Sequence, residues 1–255
     1  MVELKTEQSI DEMRAAGRVV AHALAAVREA ARVGISLLDL DRVARGVLRE
    51  AGAASPFLGY RPEFAPVPFP AVICTSVNDA IVHGIPGAYR LRDGDLVSVD
   101  CGAGLGGWVG DAAVSFTVGR PRPADLRLIA TAEAALAAGI AAAVPGNRIG
   151  DIAHAVGTVC RAAGYGIPDG FGGHGVGRHM HEDPGVPNEG PPGRGMKLRP
   201  GMVLAIEPML TAGGTDDYTC DGDGWTLRTA DGSRAAHAEH TVAITSDGPR
   251  ILTAV

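Results

Sequence analysis

The sequence has no paired cysteine motif and no long apolar run, and both absences limit the class of protein. Its four cysteines stand far apart and form no C-x-x-C motif. This spacing excludes a zinc knuckle and a disulfide framework, and it favours reduced thiols in a cytosolic environment. The apolar stretches are Ala-rich and interrupted by Arg, Glu or Gly, so we expect no segment that spans a membrane.

The chain also lacks an excess of positive charge and an apolar leader. Its 255 residues include 23 Lys and Arg against 29 Asp and Glu, which gives a formal net charge of −6. Because an acidic chain without a basic cluster attracts phosphate groups poorly, we do not expect direct nucleic-acid binding. The N-terminal stretch MVELKTEQSIDEM has no apolar core and predicts no signal peptide, so a cytoplasmic location is expected.

Periodicity predicts the order helix, helix, strands, and this order occurs twice along the chain. Four helices are expected, at 8–32, 37–50, 123–144 and 149–163. Ser9 is the predicted N-cap of the first, because Glu12 follows three residues later. Residues 55–70 are rich in proline and aromatic residues and predict a loop, whereas strand-like runs separated by Gly, Pro and Asp begin at 71. A Gly- and Pro-rich segment at 182–201 is expected to interrupt the second group of strands.

Two blocks of sequence recur at nearly the same offset. Residues 30–52 match residues 142–164 at several Gly, Asp, Val and Arg positions. The block LRDGDLVSVD matches LRPGMVLAIE further along the chain, and the two blocks end in Asp100 and Glu207. Two matching blocks at a similar offset indicate a duplicated unit.

The repeat predicts an α+β fold made of two αα-plus-antiparallel-sheet units, packed about a pseudo-two-fold axis. We expect one domain over residues 1–255, with halves of about 1–120 and 121–255. A site on the axis would collect equivalent residues from both halves, for example Asp100 and Glu207.

A β-hairpin with two acidic residues is predicted for the segment DLVSVDCGAGLGGWVGDAAVSF. If Leu105 and Gly106 form the turn, Asp100 lies opposite Asp111. Paired carboxylates repel each other, and partial burial among valine and alanine would make both charges unfavourable. A hard divalent cation between them removes both penalties, because such cations take oxygen ligands. The alternative is a solvated hairpin with two exposed aspartates.

Several histidines and two further glutamates are candidates for metal or proton chemistry. His83 and His174 each precede Gly in comparable places of the two halves, and His174 and His181 flank a Gly-rich stretch where backbone can approach a ligand. Glu207 ends one apolar strand and Glu239 begins another. Taken singly, each histidine could equally be a loop residue, and each glutamate a solvent-facing strand end.

Six segments occur in the order and spacing of a known family. They are VNDAIVHGIP, DGDLVSVDCG, GGWVGDAAVSFTVG, GHGVGRHMHEDP, LRPGMVLAIEP and AEHTVAIT. Over nearly the whole chain, the sequence resembles the type I methionine aminopeptidases, which are metallopeptidases of the pita-bread fold. The resemblance implies that fold, and it implies removal of N-terminal methionine from nascent proteins, preferably when the second residue is small.

By this resemblance, five side chains hold two divalent cations such as Co, Mn, Fe or Zn. The five are Asp100, Asp111, His174, Glu207 and Glu239. Asp111 and Glu239 match the carboxylates that bridge both cations, Asp100 would complete one site, and His174 with Glu207 would complete the other. Together the cations would activate a shared water molecule for hydrolysis.

The resemblance also implies roles in catalysis and substrate binding. Glu207 is the candidate proton shuttle, His181 would stabilise the developing oxyanion, and His83 would contact the scissile amide nitrogen. An apolar pocket for the methionine side chain is expected from Tyr60, Phe69, Cys74 and Trp225, with Met180 adjoining. The alternative for these pocket residues is a structural role in the core.

Two other functions stay open at this point. A prolidase or proline-specific aminopeptidase of the same fold usually has a further N-terminal domain, for which we expect no room in 255 residues. A pita-bread binding protein without catalysis would lack some of the five ligands. The expected partner is the N-terminal methionine of nascent polypeptides, with transient association with ribosomes, no membrane contact, and a monomeric state.

Overall fold

The computed structural model describes residues 2–63 and 65–254, and over these ranges the chain forms an α+β fold. The first helix pair and its strands are α1 (Glu7–Ala30), α2 (Leu37–Glu50), β1 (Ile73–Val77), β2 (Ala80–Val82), β3 (Asp95–Leu105) and β4 (Trp108–Val118). The second group is α3 (Pro123–Ala142), α4 (Ile149–Ala162), β5 (Gly172–Gly175), β6 (Glu182–Pro187), β7 (Val203–Ile206), β8 (Met209–Thr211), β9 (Tyr218–Cys220), β10 (Leu227–Thr229), β11 (Ala235–His237), β12 (His240–Thr245) and β13 (Gly248–Ile251). The predicted fold class is confirmed.

The helices lie close to their predicted positions, but the predicted cap of α1 is wrong. Thr6 is the N-cap, because its side-chain oxygen accepts a hydrogen bond from the Ser9 backbone N–H. Glu12, which suggested Ser9 as the cap, instead accepts a hydrogen bond from the indole N–H of Trp108 at 2.7 Å. A tertiary contact therefore uses the glutamate that the local pattern assigned to the cap.

Among the described residues, the strands form four antiparallel sheets, and two of these sheets carry most of the candidate site. One has the order β1-β3-β4, and another has the order β13-β12-β7-β5-β6. Helices α1 and α2 share an apolar core with the first sheet, in which Leu24 and Leu40 are buried beside Val97. Helices α3 and α4 share a second core with the five-stranded sheet, around residues such as Val156 and Leu204. Each helix pair thus covers the strands of its own part of the chain.

The turn of the β3–β4 hairpin is formed by Gly106 and Gly107, one residue later than predicted. Leu105 pairs with Trp108, and the φ angles of the two glycines are 61° and 80°. A two-residue turn with both φ angles positive suits glycine, because a side chain would strain that backbone. The pattern Leu-Gly-Gly left two choices for the turn, and backbone conformation decides between them.

The predicted direct pairing of the two aspartates is therefore wrong. Asp100 lies opposite Ala113, and Asp111 lies opposite Gly102. The register differs from the predicted one by two residues, and side chains alternate across a sheet with a period of two. Both carboxylates consequently stay on one face, as diagonal neighbours.

The Gly- and Pro-rich segment at 182–201 does not wholly interrupt the strands, since β6 occupies its first residues. Pro184 and Pro187 hid this strand in the sequence. It forms the edge of the five-stranded sheet, where a residue without a backbone N–H is tolerated. Within the described ranges, no helix is both long and apolar enough to cross a membrane.

Candidate metal centre

A cavity of about 230 Å³ lies between the two main sheets, and every site residue predicted from the sequence lines it. The acidic and imidazole side chains are those of His83, Asp100, Asp111, His174, His181, Glu207 and Glu239. The apolar and aromatic ones are those of Tyr60, Phe69, Cys74, Met180 and Trp225. The cavity thus combines ionisable side chains with apolar and aromatic ones.

Strands from both parts of the chain deliver the acidic residues. Asp100 lies on β3 and Asp111 on β4, whereas Glu207 follows β7 and Glu239 lies between β11 and β12. The two parts are joined beside the site, because the Asp111 backbone N–H donates to Thr241 Oγ1 at 3.0 Å and Thr241 Oγ1 donates to the Asp111 carbonyl at 2.7 Å. The Glu239 N–H also donates to a carbonyl of β4.

His174 faces two of these carboxylates. Its Nε2 lies 3.8 Å from Asp111 Oδ2 and 3.7 Å from Glu207 Oε1. Its Nδ1 lies 2.9 Å from the carbonyl oxygen of Gly175, which can accept a hydrogen bond from that nitrogen. Such a bond holds the proton on Nδ1 and leaves Nε2 as a lone-pair donor toward the acids, as in histidine ligands of metals.

The donor set fits a divalent cation. Asp100 Oδ1, Asp111 Oδ1 and Glu239 Oε1 are buried and have no hydrogen-bond partner among the described residues. Buried carboxylate oxygens without partners are strongly unfavourable, and a cation satisfies them. Ligand atoms within 4.8 Å of one another occur in two triads, Asp111–His174–Glu239 and Glu207–His237–Glu239. Glu239 belongs to both.

Burial shifts the pKa values of these groups toward their neutral forms. It raises the pKa of Asp100 to about 7 and that of Glu207 to about 8. Burial, together with the neighbouring carboxylates, raises the pKa of Asp111 and of Glu239 well above the usual range. The pKa of His174 falls to about 4, again mainly through burial. Without a cation, the site therefore retains protons on its carboxyl groups near neutral pH.

Aromatic rings form the apolar wall next to this acidic cluster. The ring of Tyr60 stacks on that of His181, with centroids 5.3 Å apart. Trp225 packs edge-on against Phe69 at 5.1 Å and against His83 at 6.1 Å. The indole N–H of Trp225 donates to a backbone carbonyl of the proline-rich loop, which holds the ring in place. Phe64 of that loop lies outside the described residues.

Sequence reasoning missed one polar residue of the site, His237. It is fully buried on β11, and its Nε2 lies 3.3 Å from Glu207 Oε2. The signal was present in the motif HAEHTVAIT, because residues two apart in an extended chain point to the same side. His237 stands two positions before Glu239. His237 lies behind the lining of the cavity, next to Glu207, whereas Phe171 and Met209 line the cavity itself and were not predicted.

Comparison with known proteins assigns most of the chain to one family. The model of metallopeptidase family M24 matches residues 11–246. A methionine aminopeptidase 1 from Mycobacterium tuberculosis is 55% identical over 260 residues, which cover 99% of this chain and 95% of that protein. A methionine aminopeptidase from Clostridium perfringens is 46% identical, with full coverage of both chains.

Solved structures agree with these relatives. The structure of a methionine aminopeptidase from Thermotoga maritima has a TM-score of 0.95 and 39% identity, and the match covers 100% of both chains. The prolidase from Pyrococcus furiosus has a TM-score of 0.78 at 22% identity, and the match covers 99% of this chain but 65% of that one. At that identity, the prolidase likeness shows a shared fold alone.

Proposed function

The chain belongs to metallopeptidase family M24, and we propose that it removes the N-terminal methionine of polypeptides. One observation carries the proposal: a cluster of buried carboxylates and imidazoles shares a cavity with an aromatic pocket of side-chain size. The first group suits hydrolysis at a metal centre, and the second suits a thioether side chain. Relatives that are 46–55% identical and bear the name methionine aminopeptidase support it.

Two divalent cations are the cofactors of this proposal, drawn from Co, Mn, Fe and Zn. Asp111 and Glu239 would be shared between them, Asp100 would complete one site, and His174 with Glu207 would complete the other. When bound, such cations lower the pKa of water and polarise a carbonyl group. The unpartnered oxygens of Asp100, Asp111 and Glu239 support this donor set.

Three side chains of the protein would act on the substrate directly. Glu207 is the candidate proton shuttle, because it lines the cavity and its carboxylate lies between His174 and His237. His181 would donate a hydrogen bond to the developing oxyanion, and its stacking on Tyr60 fixes the ring. His83 would contact the scissile amide nitrogen. Its backbone has a φ of 59°, unusual for a residue with a side chain, which marks a constrained position in the cavity wall.

The aromatic wall would bind the methionine side chain. Phe69 and Cys74 are buried at its base, and Tyr60, Met180 and Trp225 complete it. A small second residue in the substrate would be preferred, because the carboxylates leave little room beside the scissile bond.

The remaining parts of the proposal concern the setting of the reaction. One catalytic domain over residues 1–255, with halves of about 1–120 and 121–255, would act as a monomer. The substrate is a nascent polypeptide, so the enzyme would work in the cytoplasm in transient association with ribosomes. The recurring order helix, helix, strands supports the division into halves.

Hydrolysis of two peptides tests the proposed function. Purified protein loaded with Co²⁺ or Mn²⁺ should release methionine from Met-Ala-Ser and leave an Ala-Pro peptide intact. A chelator should abolish the reaction, and added cation should restore it. Cleavage of the Ala-Pro peptide alone would overturn the proposal in favour of a proline-specific enzyme, and cleavage of neither with cation bound would overturn it in favour of a binding protein.

A further inference from the structure

We propose that His237 supplies a second imidazole ligand to the metal centre, through its Nε2 and on the same cation as Glu207. This inference rests on the proposed function in one respect, namely that a divalent cation occupies the cavity. It adds a sixth side chain to the five that the family resemblance implies. Three structural observations support the proposal.

The first observation is an unpartnered ring nitrogen. His237 is 1% exposed, and its Nε2 has no hydrogen-bond partner among the described residues. Glu207 Oε2 lies 3.3 Å from that nitrogen, yet the two atoms do not have the geometry of a hydrogen bond. Two buried polar atoms that are close but not hydrogen-bonded to each other can both serve as ligands of a common ion.

The second observation is the distance itself. Nitrogen and oxygen ligands lie about 2.0–2.2 Å from a divalent transition metal, so two ligands at an angle of about 90–110° are about 2.8–3.6 Å apart. The separation of 3.3 Å between His237 Nε2 and Glu207 Oε2 falls within this range. The other oxygen of Glu207 faces His174 at 3.7 Å. Each oxygen of this carboxylate therefore faces a different imidazole.

The third observation is a rigid backbone behind the ring. The His237 N–H donates to Ser115 Oγ at 2.9 Å, and Ser115 Oγ donates to the His237 carbonyl at 2.7 Å. His237 also pairs with Met209 across the two-stranded sheet. Because both backbone groups are bonded, the chain holds the ring in one position, which is what a metal ligand requires.

A second imidazole has a chemical consequence. Imidazole ligands suit Zn and Fe, whereas carboxylate, carbonyl and water ligands suit Mg, Ca and Mn. The triad Glu207–His237–Glu239 contains one imidazole, and so does the triad Asp111–His174–Glu239. The cation that Glu207 would hold would then have two nitrogen ligands, His174 and His237.

Proton NMR of the Co²⁺-loaded protein tests the inference. A histidine bound to paramagnetic Co²⁺ through one nitrogen shows its remaining ring N–H as a solvent-exchangeable signal far outside the normal range, provided that it is protected from solvent. We expect two such signals in the unchanged protein, from His174 and His237. His237→Gln should remove one of them. The matched control is His240→Gln, because His240 bonds to Thr253 outside the cavity and should leave both signals in place.

The outcomes separate this inference from the proposed function. One shifted signal in the unchanged protein would overturn the inference, and so would two signals that persist in His237→Gln. Neither result would count against the proposed peptidase function. If His237→Gln does not fold, the number of signals in the unchanged protein decides alone. Absence of any shifted signal at saturating Co²⁺ would overturn both the inference and the metal-dependent function.

Discussion

His174 Nε2 lies 3.8 Å from Asp111 Oδ2, although the two residues belong to different sheets. Asp111 comes from the β3–β4 hairpin, and His174 comes from β5 of the five-stranded sheet. The Thr241 hydroxyl, which is bonded to both backbone groups of Asp111, locks the hairpin onto that sheet. The candidate metal centre is therefore a product of how the two parts of the chain pack together.

Substitution of Asp111 should remove metal-dependent activity. Asp111→Asn keeps the shape of the side chain but removes the charge that two cations would share. Since even residues behind a metal ligand change affinity by about 10–100-fold, loss of this ligand should lower peptidase activity by more than about 100-fold. Initial rates with Met-Ala-Ser at saturating Co²⁺ would measure it. Asp11→Asn, at an exposed position on α1, is the control and should leave activity unchanged. Full activity of Asp111→Asn in metal-stripped buffer would contradict the prediction.

The stability of the metal-free protein should fall as pH rises from about 6.5 to 8. The folded-state pKa values of Asp100 and Glu207 are raised to about 7 and about 8, from 3.8 and 4.5. In this range the folded protein retains protons that the unfolded chain has released, so a rise in pH favours unfolding. His83 and His174, whose pKa values fall to about 4 from 6.5, have the opposite effect, which is largest below pH 6.5 and fades above it as the unfolded imidazoles lose their protons.

Urea denaturation at pH 6.5 and at pH 8, in the presence of a chelator, would measure this dependence. Saturating cation should reverse it, because metal ions bind the deprotonated carboxylates. Equal or greater stability of the chelator-treated protein at pH 8 would show that the carboxyl groups are not protonated as the burial of the site predicts.

Truncation of Phe69 should weaken both the fold and the binding of methionine. The ring is buried and packs edge-on against Phe57 and Trp225. Phe69→Ala should lower the free energy of unfolding by about 3–5 kcal/mol. If the ring also contacts substrate, KM for Met-Ala-Ser should rise about tenfold, which corresponds to about 1.4 kcal/mol of lost binding. Phe69→Leu should have a smaller effect on both quantities. An unchanged KM in Phe69→Ala would assign the ring to the core alone.

Two glycines in helices should respond in opposite ways to alanine. Gly17 on α1 packs against Gly110 on β4, and a Cβ at Gly17 would collide with the carbonyl oxygen of Leu252. Gly17→Ala should therefore destabilise the protein by about 1–3 kcal/mol. Gly46 on α2 has open space where a Cβ would lie, so Gly46→Ala should stabilise it by about 0.5–1 kcal/mol. The midpoints of urea denaturation would measure both changes in stability. A stabilising effect of Gly17→Ala would contradict the close contact between Gly17 and the Leu252 carbonyl.

Much of the fold was predictable because local signals agreed with tertiary structure. Apolar periodicity placed all four helices within a few residues, and glycine, proline and aspartate marked the strand ends. The errors arose where long-range contacts determine the local structure. Glu12 was assigned to a helix cap but accepts a hydrogen bond from Trp108. The position of the β3–β4 turn depends on backbone φ angles that the amino-acid sequence does not specify.

The sequence predicted which residues form the candidate site better than it predicted how they are arranged. Motif order identified most of the residues that line the cavity but not Phe171 or Met209, and the roles of the predicted residues stay predictions until they are tested. Spacing could not show that Asp111 would lie opposite Gly102, nor that His237 would face Glu207, because both depend on how strands pair across the molecule. The two-residue spacing between His237 and Glu239 was the one available signal for the missed histidine.

Anomalous diffraction from a crystal grown with Co²⁺ would test the metal centre most directly. We predict two cobalt peaks about 3.5–4 Å apart in the cavity, the distance typical of paired catalytic cations. The two would share Asp111 and Glu239 as ligands. A single peak, or cobalt only at the protein surface, would contradict a centre in which side chains from both parts of the chain hold a pair of cations.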